Sequence, residues 1–277
     1  MGVNKAVYES FYSLKQKPFA IAANPSFIFF SQRHREAFAY LTYGIKERVG
    51  FIEITGEVGA GKTTICRALL NQLDEKTKTA FIFNSNLTEL QLMQAIIEDL
   101  GIKTEKKNRS ALFSELNQFL IQQLTQNNNV VLIIDEAQNL SLQLLEQIRM
   151  LSNLEAENEK LLQIILVGQP ELREKLKSPS LRQLRQRIAV RYHIEALSQP
   201  EVPLYIAHRL QMAGATNGAS PVFDERAVRE IFKYSGGIPR LINIVCDKAL
   251  LLGYVLEKRQ IDPEVIKRSI TEIEGGL

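Results

Sequence analysis

Residues Gly56-Glu57-Val58-Gly59-Ala60-Gly61-Lys62-Thr63 form the pattern G-x-x-x-x-G-K-[ST], and every residue type in it suits a phosphate chain. Gly56, Gly59 and Gly61 allow backbone turns that a side chain would obstruct, so successive N–H groups can converge on phosphate oxygens. A helix starting near Lys62 adds the positive end of its dipole. Lys62 is expected to reach the β- and γ-phosphates and the Thr63 hydroxyl to bind Mg²⁺, with Thr64 near the α-phosphate. The stretch 56–64 thus reads as a cradle for ATP with Mg²⁺.

A second cluster lies downstream. The apolar run VVLII (130–134) ends in Asp135 and Glu136, an arrangement that suits metal-assisted hydrolysis. Asp135 is expected to hold Mg²⁺, through water, and Glu136 to orient and polarise the attacking water. A protein that only bound nucleotide could dispense with Glu136. Gln169 follows another apolar run and is placed to contact the γ-phosphate or that water. Arg182, Arg185, Arg187 and Arg191 cluster before and within IAVRYHI (188–194). An arginine supplied by a neighbouring subunit can accelerate phosphoryl transfer by ~10³–10⁵; Arg187 is the first choice and Arg185 the second. The same cluster could instead be a solvated basic face or a nucleic-acid contact. In YSGGIPRLINIVCDKAL (234–250), Gly236 and Gly237 form a turn and Pro239 opens a helix, so Arg240 could reach back to the γ-phosphate.

Other chemistries find no support. His34, His193 and His208 are scattered, no Cys/His pair has metal-ligand spacing, and no G-x-S-x-G nucleophile elbow is present.

The elements that must carry these residues alternate. FIEIT (51–55), AFIFN (80–84), VVLII (130–134), LQIILVG (162–168) and IAVRYHI (188–194) read as strands. Helical spacing covers 35–48, 62–73, 88–101, 109–126 and 141–155. Alternation of helices with continuously apolar strands implies a parallel sheet covered on both faces. Past Pro200 and Pro203 only helical patterns remain, at 201–213, 224–235, 238–255 and 262–273. The expected division is an α/β nucleotide-binding domain with an N-terminal arm over 1–197 and a helical domain over 198–277. The arm is rich in aromatics (Tyr8, Phe11, Tyr12, Phe19, Phe27, Phe29, Phe30); it should lie irregularly against the main body, and it could border the adenine.

Composition sets wide limits. The 277 residues are 45% hydrophobic and 23% charged, ordinary for a globular protein, and the net charge of +3 does not by itself argue for nucleic acid or membrane. Cys66 and Cys246 read as buried apolar residues in a reducing compartment. The most apolar stretch, 241–256, is broken by Asn243, Asp247 and Lys248 and reads as a buried helix, not a membrane span. The start lacks the features of a secretory signal, and Ala6 stands where a myristoylation motif needs Ser or Thr. A cytoplasmic location is expected.

GEVGAGKTT, LIIDEAQNLSLQLLEQIRMLSNLE, LVGQPELREKL, LRQRIAVRYHI and SGGIPRLIN, in this order, resemble the ATPase domain of the ExeA-like proteins, the general secretion pathway protein A group of the AAA+ superfamily. YESFYSLKQKPF and NPSFIFFSQRHREAFAYLTYGI are similar to that group too, so the resemblance runs from about residue 8 to 273. It implies an AAA+ P-loop NTPase with a five-stranded parallel sheet and a C-terminal helical lid, ATP, Mg²⁺ and homo-oligomerisation. The family's phosphate-loop lysine falls on Lys62, its acidic pair on Asp135 and Glu136, its lid arginine on Arg240 and its arginine finger on Arg187. Many AAA+ proteins carry Asn, Ser or Thr where this sequence has Gln169. Secretion-type members often continue into a transmembrane helix and a periplasmic peptidoglycan-binding region, whereas this sequence stops at Leu277. A short soluble member is therefore expected, serving a secretion, pilus or exopolysaccharide envelope complex from the cytoplasm. A DNA-associated ATPase switch, like the AAA+ regulators of transposition, is the alternative, and a nucleotide-binding scaffold without turnover the third reading.

Overall fold

The computed structural model describes residues 7–21, 25–83, 87–156, 159–215 and 222–275. In chain order the elements are α1 (Gln32–Lys46), β1 (Phe51–Gly56), α2 (Lys62–Leu70), β2 (Thr77–Ile82), α3 (Glu89–Asp99), α4 (Arg109–Thr125) and β3 (Asn129–Ile134). Next come α5 (Leu142–Leu151), the short pair β4 (Glu155–Ala156) and β5 (Glu159–Lys160), β6 (Gln163–Gly168), α6 (Pro170–Leu176), α7 (Arg182–Arg187) and β7 (Ile188–Ile194). Four helices close the chain: α8 (Glu201–Met212), α9 (Glu225–Ser235), α10 (Pro239–Val255) and α11 (Pro263–Ile273).

The chain forms two compact units. One comprises Arg33–Glu57 and the described parts of Ile65–Ile194. Its five parallel strands run in the order β2-β3-β6-β1-β7. Every residue of β1 and β6 is buried, which is why their sequences are mostly apolar, with Glu53, Thr55 and Gln163 as the polar exceptions. Leu92, Ile96, Leu116, Leu145 and Ile148 from α3, α4 and α5 fill one core with Leu132, Ile164 and Leu166. The buried Gln163 amide donates to the carbonyls of Gly44 (2.8 Å) and Val49 (2.9 Å) and so fastens β6 to the approach to β1.

Several elements differ from the sequence pattern. The strand expected at 80–84 begins earlier, at Thr77, and ends at Ile82. It is an edge strand, so its polar start can face outward and escapes an apolar-run criterion; Asn84 lies outside the described residues. The helix expected to reach 155 stops at Leu151, where the Ser152 hydroxyl donates back to the Arg149 carbonyl at 2.6 Å. The short helices α6 and α7, seven and six residues long, offer too few turns for periodicity to reveal.

The second unit holds the described parts of Met1–Gln32, Val58–Thr64 and Glu195–Leu277. Tyr8, Phe19 and Phe27 share its core with Val202, Ile206, Ile242, Val245, Cys246 and Leu250. Tyr8 donates its hydroxyl to Asp247, and Tyr12 donates to the Lys258 carbonyl at 3.0 Å. The Arg209 guanidinium holds the Pro18 carbonyl at 2.6 Å and lies 4.8 Å from the centre of the Phe27 ring. The aromatic arm therefore groups with the C-terminal helices, not with the α/β layers as 1–197 implied. Tyr8, Tyr12, Phe19 and Phe27 are core residues. Residues 1–6, including the Met-Gly start, lie outside the described set. Cys66 and Cys246 are both buried free thiols, and burial pushes the Cys246 thiol well above its usual range. Residues 241–256 lie in α10 and just past it, and no helix among the described residues is long and apolar enough to cross a membrane.

Candidate functional site

β1 ends at Gly56 and passes through a tight loop into α2, which begins at Lys62. Gly59 and Gly61 adopt φ of +81° and +96°, so the turns expected of these glycines are present. Gly56 is needed for a different reason: a Cβ there would stand 2.7 Å from the Ile194 carbonyl of β7. Lys62 is 6% exposed and occupies the first turn of a helix, where the dipole favours anions. Phosphate oxygens are the kind of group that end of a helix favours. Ala60 is buried, Thr63 and Thr64 are half-buried, and Glu57 and Val58 are exposed.

The lid arginine lies against this loop within the same unit. The Arg240 backbone N–H donates to the Gly59 carbonyl at 3.3 Å, and a Cβ on Gly59 would overlap Arg240. The expected turn positions it. Gly236 (φ +56°) ends α9 and donates to the Phe232 carbonyl at 2.9 Å. Gly237 (φ +81°) accepts from the Leu197 N–H at 2.9 Å, with no room for a side chain. Pro239 opens α10.

In the α/β unit, Thr55 of β1 lies opposite Gly168 of β6, and Ile134 of β3 opposite Leu166. Because the strands are parallel, Gly56, Asp135 and Gln169 leave the sheet at one rim. Asp135 is 2% exposed; its N–H donates to the Ile82 carbonyl and its Oδ1 accepts the Glu136 N–H, each at 2.9 Å. Glu136 has φ of +53°, a costly value for a side-chain-bearing residue and one that clusters at functional positions. Its Oε2 accepts from Gln138 Nε2 at 2.5 Å and from Gln169 Nε2 at 3.1 Å. Gln169 therefore meets Glu136 directly. Thr63 carries a hydroxyl and Asp135 a carboxylate, each a hard oxygen donor of a kind that suits Mg²⁺.

The arginine cluster separates. Arg187 donates to the Ser152 hydroxyl at 3.0 Å and is half-buried. Arg185 holds the Lys177 carbonyl at 2.9 Å, and Arg191 pairs with Glu53 at 3.2 Å. Arg182 is exposed, and its backbone N–H donates to the Pro179 carbonyl. The first-choice finger, Arg187, is thus engaged inside its own unit, and Arg182 and Arg191 are the exposed members of the cluster. Glu53 escaped the sequence reading altogether, being a carboxylate inside an apolar strand. Burial raises its pKa above the ordinary 4.5, and Arg191 and Arg173 oppose that rise. Gln138 and Lys175 were also missed, although Gln138 closes the same DEAQ run that drew attention to Asp135 and Glu136.

An AAA domain family model matches residues 45–176. The chain is 42% identical over 270 residues to general secretion pathway protein A of Aeromonas hydrophila, a match that covers 97% of this chain and 49% of that protein. It thus spans about half the length of that curated relative. Among solved structures, the Aeropyrum pernix ORC2 protein in its ADPNP–ADP complexes is similar with a TM-score of 0.67 at 16% identity, covering 93% of this chain and 72% of that one. Drosophila ORC bound to DNA gives a TM-score of 0.69 at 16% identity, covering 99% and 67%. The Thermotoga maritima RuvB Holliday junction branch migration motor gives 0.55 at 16%, covering 90% and 72%. At such identities these structures show the fold alone. With its glycine-turned phosphate loop and its five-stranded parallel sheet, the chain has the AAA+ P-loop fold, carries an AAA domain match over residues 45–176 and is similar over nearly its whole length to about half of general secretion pathway protein A.

Proposed function

We propose that this chain binds ATP with Mg²⁺ and hydrolyses it, acting as an oligomer that assists assembly of an envelope complex of the secretion type from the cytoplasmic side. The observation that carries hydrolysis is Glu136, held by two side-chain amides beside the buried Asp135 at the rim where β1 passes into the glycine loop. The backbone of residues 56–61 and Lys62 bind the triphosphate. Thr63 and Asp135 would hold Mg²⁺, which would supply positive charge against the phosphates. Glu136 orients the attacking water and draws on its proton, and Gln169 keeps that carboxylate aimed. Arg240 senses the nucleotide from the start of α10.

The envelope role is supported by the name of the 42%-identical relative. The DNA-switch alternative drew on the arginine cluster, and three of its four members are engaged internally. Steady-state ATP hydrolysis measured against protein concentration, with and without duplex DNA, tests the proposal. Turnover that requires Mg²⁺, falls to a small measurable residue in Glu136→Gln with nucleotide binding retained, rises per subunit with concentration and ignores DNA is the expected result. Binding without turnover would leave a scaffold, and stimulation by DNA would move the assignment to the switch.

A further inference from the structure

We propose that Gln138 is a positioning residue for Glu136, a side chain that sets the aim of the water-activating carboxylate by tying it to the end of β6. The proposal rests on the hydrolase reading and deepens it. Both ends of the Gln138 amide are used. Its Nε2 donates to Glu136 Oε2 at 2.5 Å, and its Oε1 accepts the Gln169 backbone N–H at 3.0 Å. The Gln169 side chain donates to the same Glu136 oxygen at 3.1 Å, so Glu136, Gln138 and Gln169 close a ring of three bonds.

The backbone of Gln138 is fixed too. Lys175, on α6, donates its ammonium to the Gln138 carbonyl and, at 2.8 Å, to that of Leu140. A charged donor on two carbonyls pins the short turn Ala137–Asn139 against α6. Space is equally limited, since a Cβ on Gly168 would stand 2.9 Å from Gln138 Oε1 and 2.8 Å from Leu172. Glu136 itself has a left-handed backbone that departs from the strand direction, so β3 alone does not determine where its carboxylate points. The bracket does. Any shift of the β6 end or of α6 passes through Gln138 to Glu136.

Two substitutions separate the bonds. Gln138→Met keeps the volume and removes donor and acceptor. Gln138→Glu keeps an acceptor for the Gln169 N–H but sets a carboxylate against Glu136. Both are expected to lower kcat by about 10- to 100-fold, the usual effect of ~1 Å misplacement of a reacting group. ATP KM and thermal midpoint should stay near wild type. In a Glu136→Gln background, Gln138→Met should cost less than about twofold more, because a residue acting through Glu136 has nothing left to position. Full activity of Gln138→Met, an undiminished loss in the Glu136→Gln background, or a Gln138→Glu variant as active as wild type would overturn the proposal while leaving the hydrolase reading intact. A wild-type chain without turnover would instead refute that reading, and this proposal with it.

Discussion

A single methyl group at Gly59 tests whether the start of α10 lies against the phosphate loop as closely as described. Alanine there must hold φ near +81°, which costs an L-residue about 1–2 kcal/mol. Its Cβ would overlap the Arg240 Cβ and stand 3.2 Å from the Arg240 Cδ. Carbon pairs are comfortable only at about 3.5–4.0 Å. The helix start must therefore retreat, and the Arg240 N–H bond to Gly59, already 3.3 Å long, would be lost. Overpacking of this kind costs about 1–3 kcal/mol and the bond about 1 kcal/mol. Gly236 is the matched control, because it too is left-handed (φ +56°) and lies in the same compact unit, but nothing stands within 4 Å of its virtual Cβ. The stiffer unfolded chain returns roughly 0.4–1 kcal/mol in both variants. Gly236→Ala is then expected to cost about 1 kcal/mol and Gly59→Ala about 3–4 kcal/mol. Urea unfolding followed by circular dichroism reads the difference, and hydrogen exchange at the Arg240 amide reports the bond. If Gly59→Ala costs no more than Gly236→Ala and the Arg240 amide keeps its protection, the close approach is refuted.

Two further outcomes follow from the charged groups. Arg191→Ala leaves Glu53 buried without its nearest cation and should cost about 2 kcal/mol at neutral pH, less than the ~3–5 of a fully buried pair because the Arg191 side chain is 43% exposed. Glu53 in the folded protein takes up its proton at higher pH than in the unfolded chain, so its ionisation lowers stability as pH rises above 4.5. The Arg191→Ala penalty should therefore shrink as pH falls, and a penalty that grew toward acid in a pH series of urea midpoints would contradict the burial of Glu53. For the subunit contact, Arg182→Ala should reduce the concentration-dependent part of ATP turnover by at least ~10³ while preserving nucleotide affinity. Arg187→Ala should instead lower the thermal midpoint through loss of its bond to Ser152; the reverse pattern would return the finger to Arg187.

The phosphate loop, the acidic pair and the order of strands and helices were legible in the sequence because each is local. A glycine pattern encodes the backbone of its own loop, and five apolar runs separated by helical spacing encode a covered parallel sheet. Gly236, Gly237 and Pro239 likewise announced their turn through residues in direct succession. Tertiary structure decided what depends on residues far apart in the chain. The aromatics of the arm look the same in sequence whichever unit buries them, and only the packing of Tyr8, Phe19 and Phe27 with α8 and α10 places them. Four arginines within ten residues are equivalent as letters. Ser152, the Lys177 carbonyl and Glu53 engage the side chains of three of them, partners that only the folded chain brings near. Gln138 and Lys175 became visible only when β6 and α6 brought their partners within hydrogen-bonding reach of Glu136's turn. A hydrogen-bond network of this kind has no periodicity and no fixed spacing, so composition carries no trace of it until the sheet sets the distances.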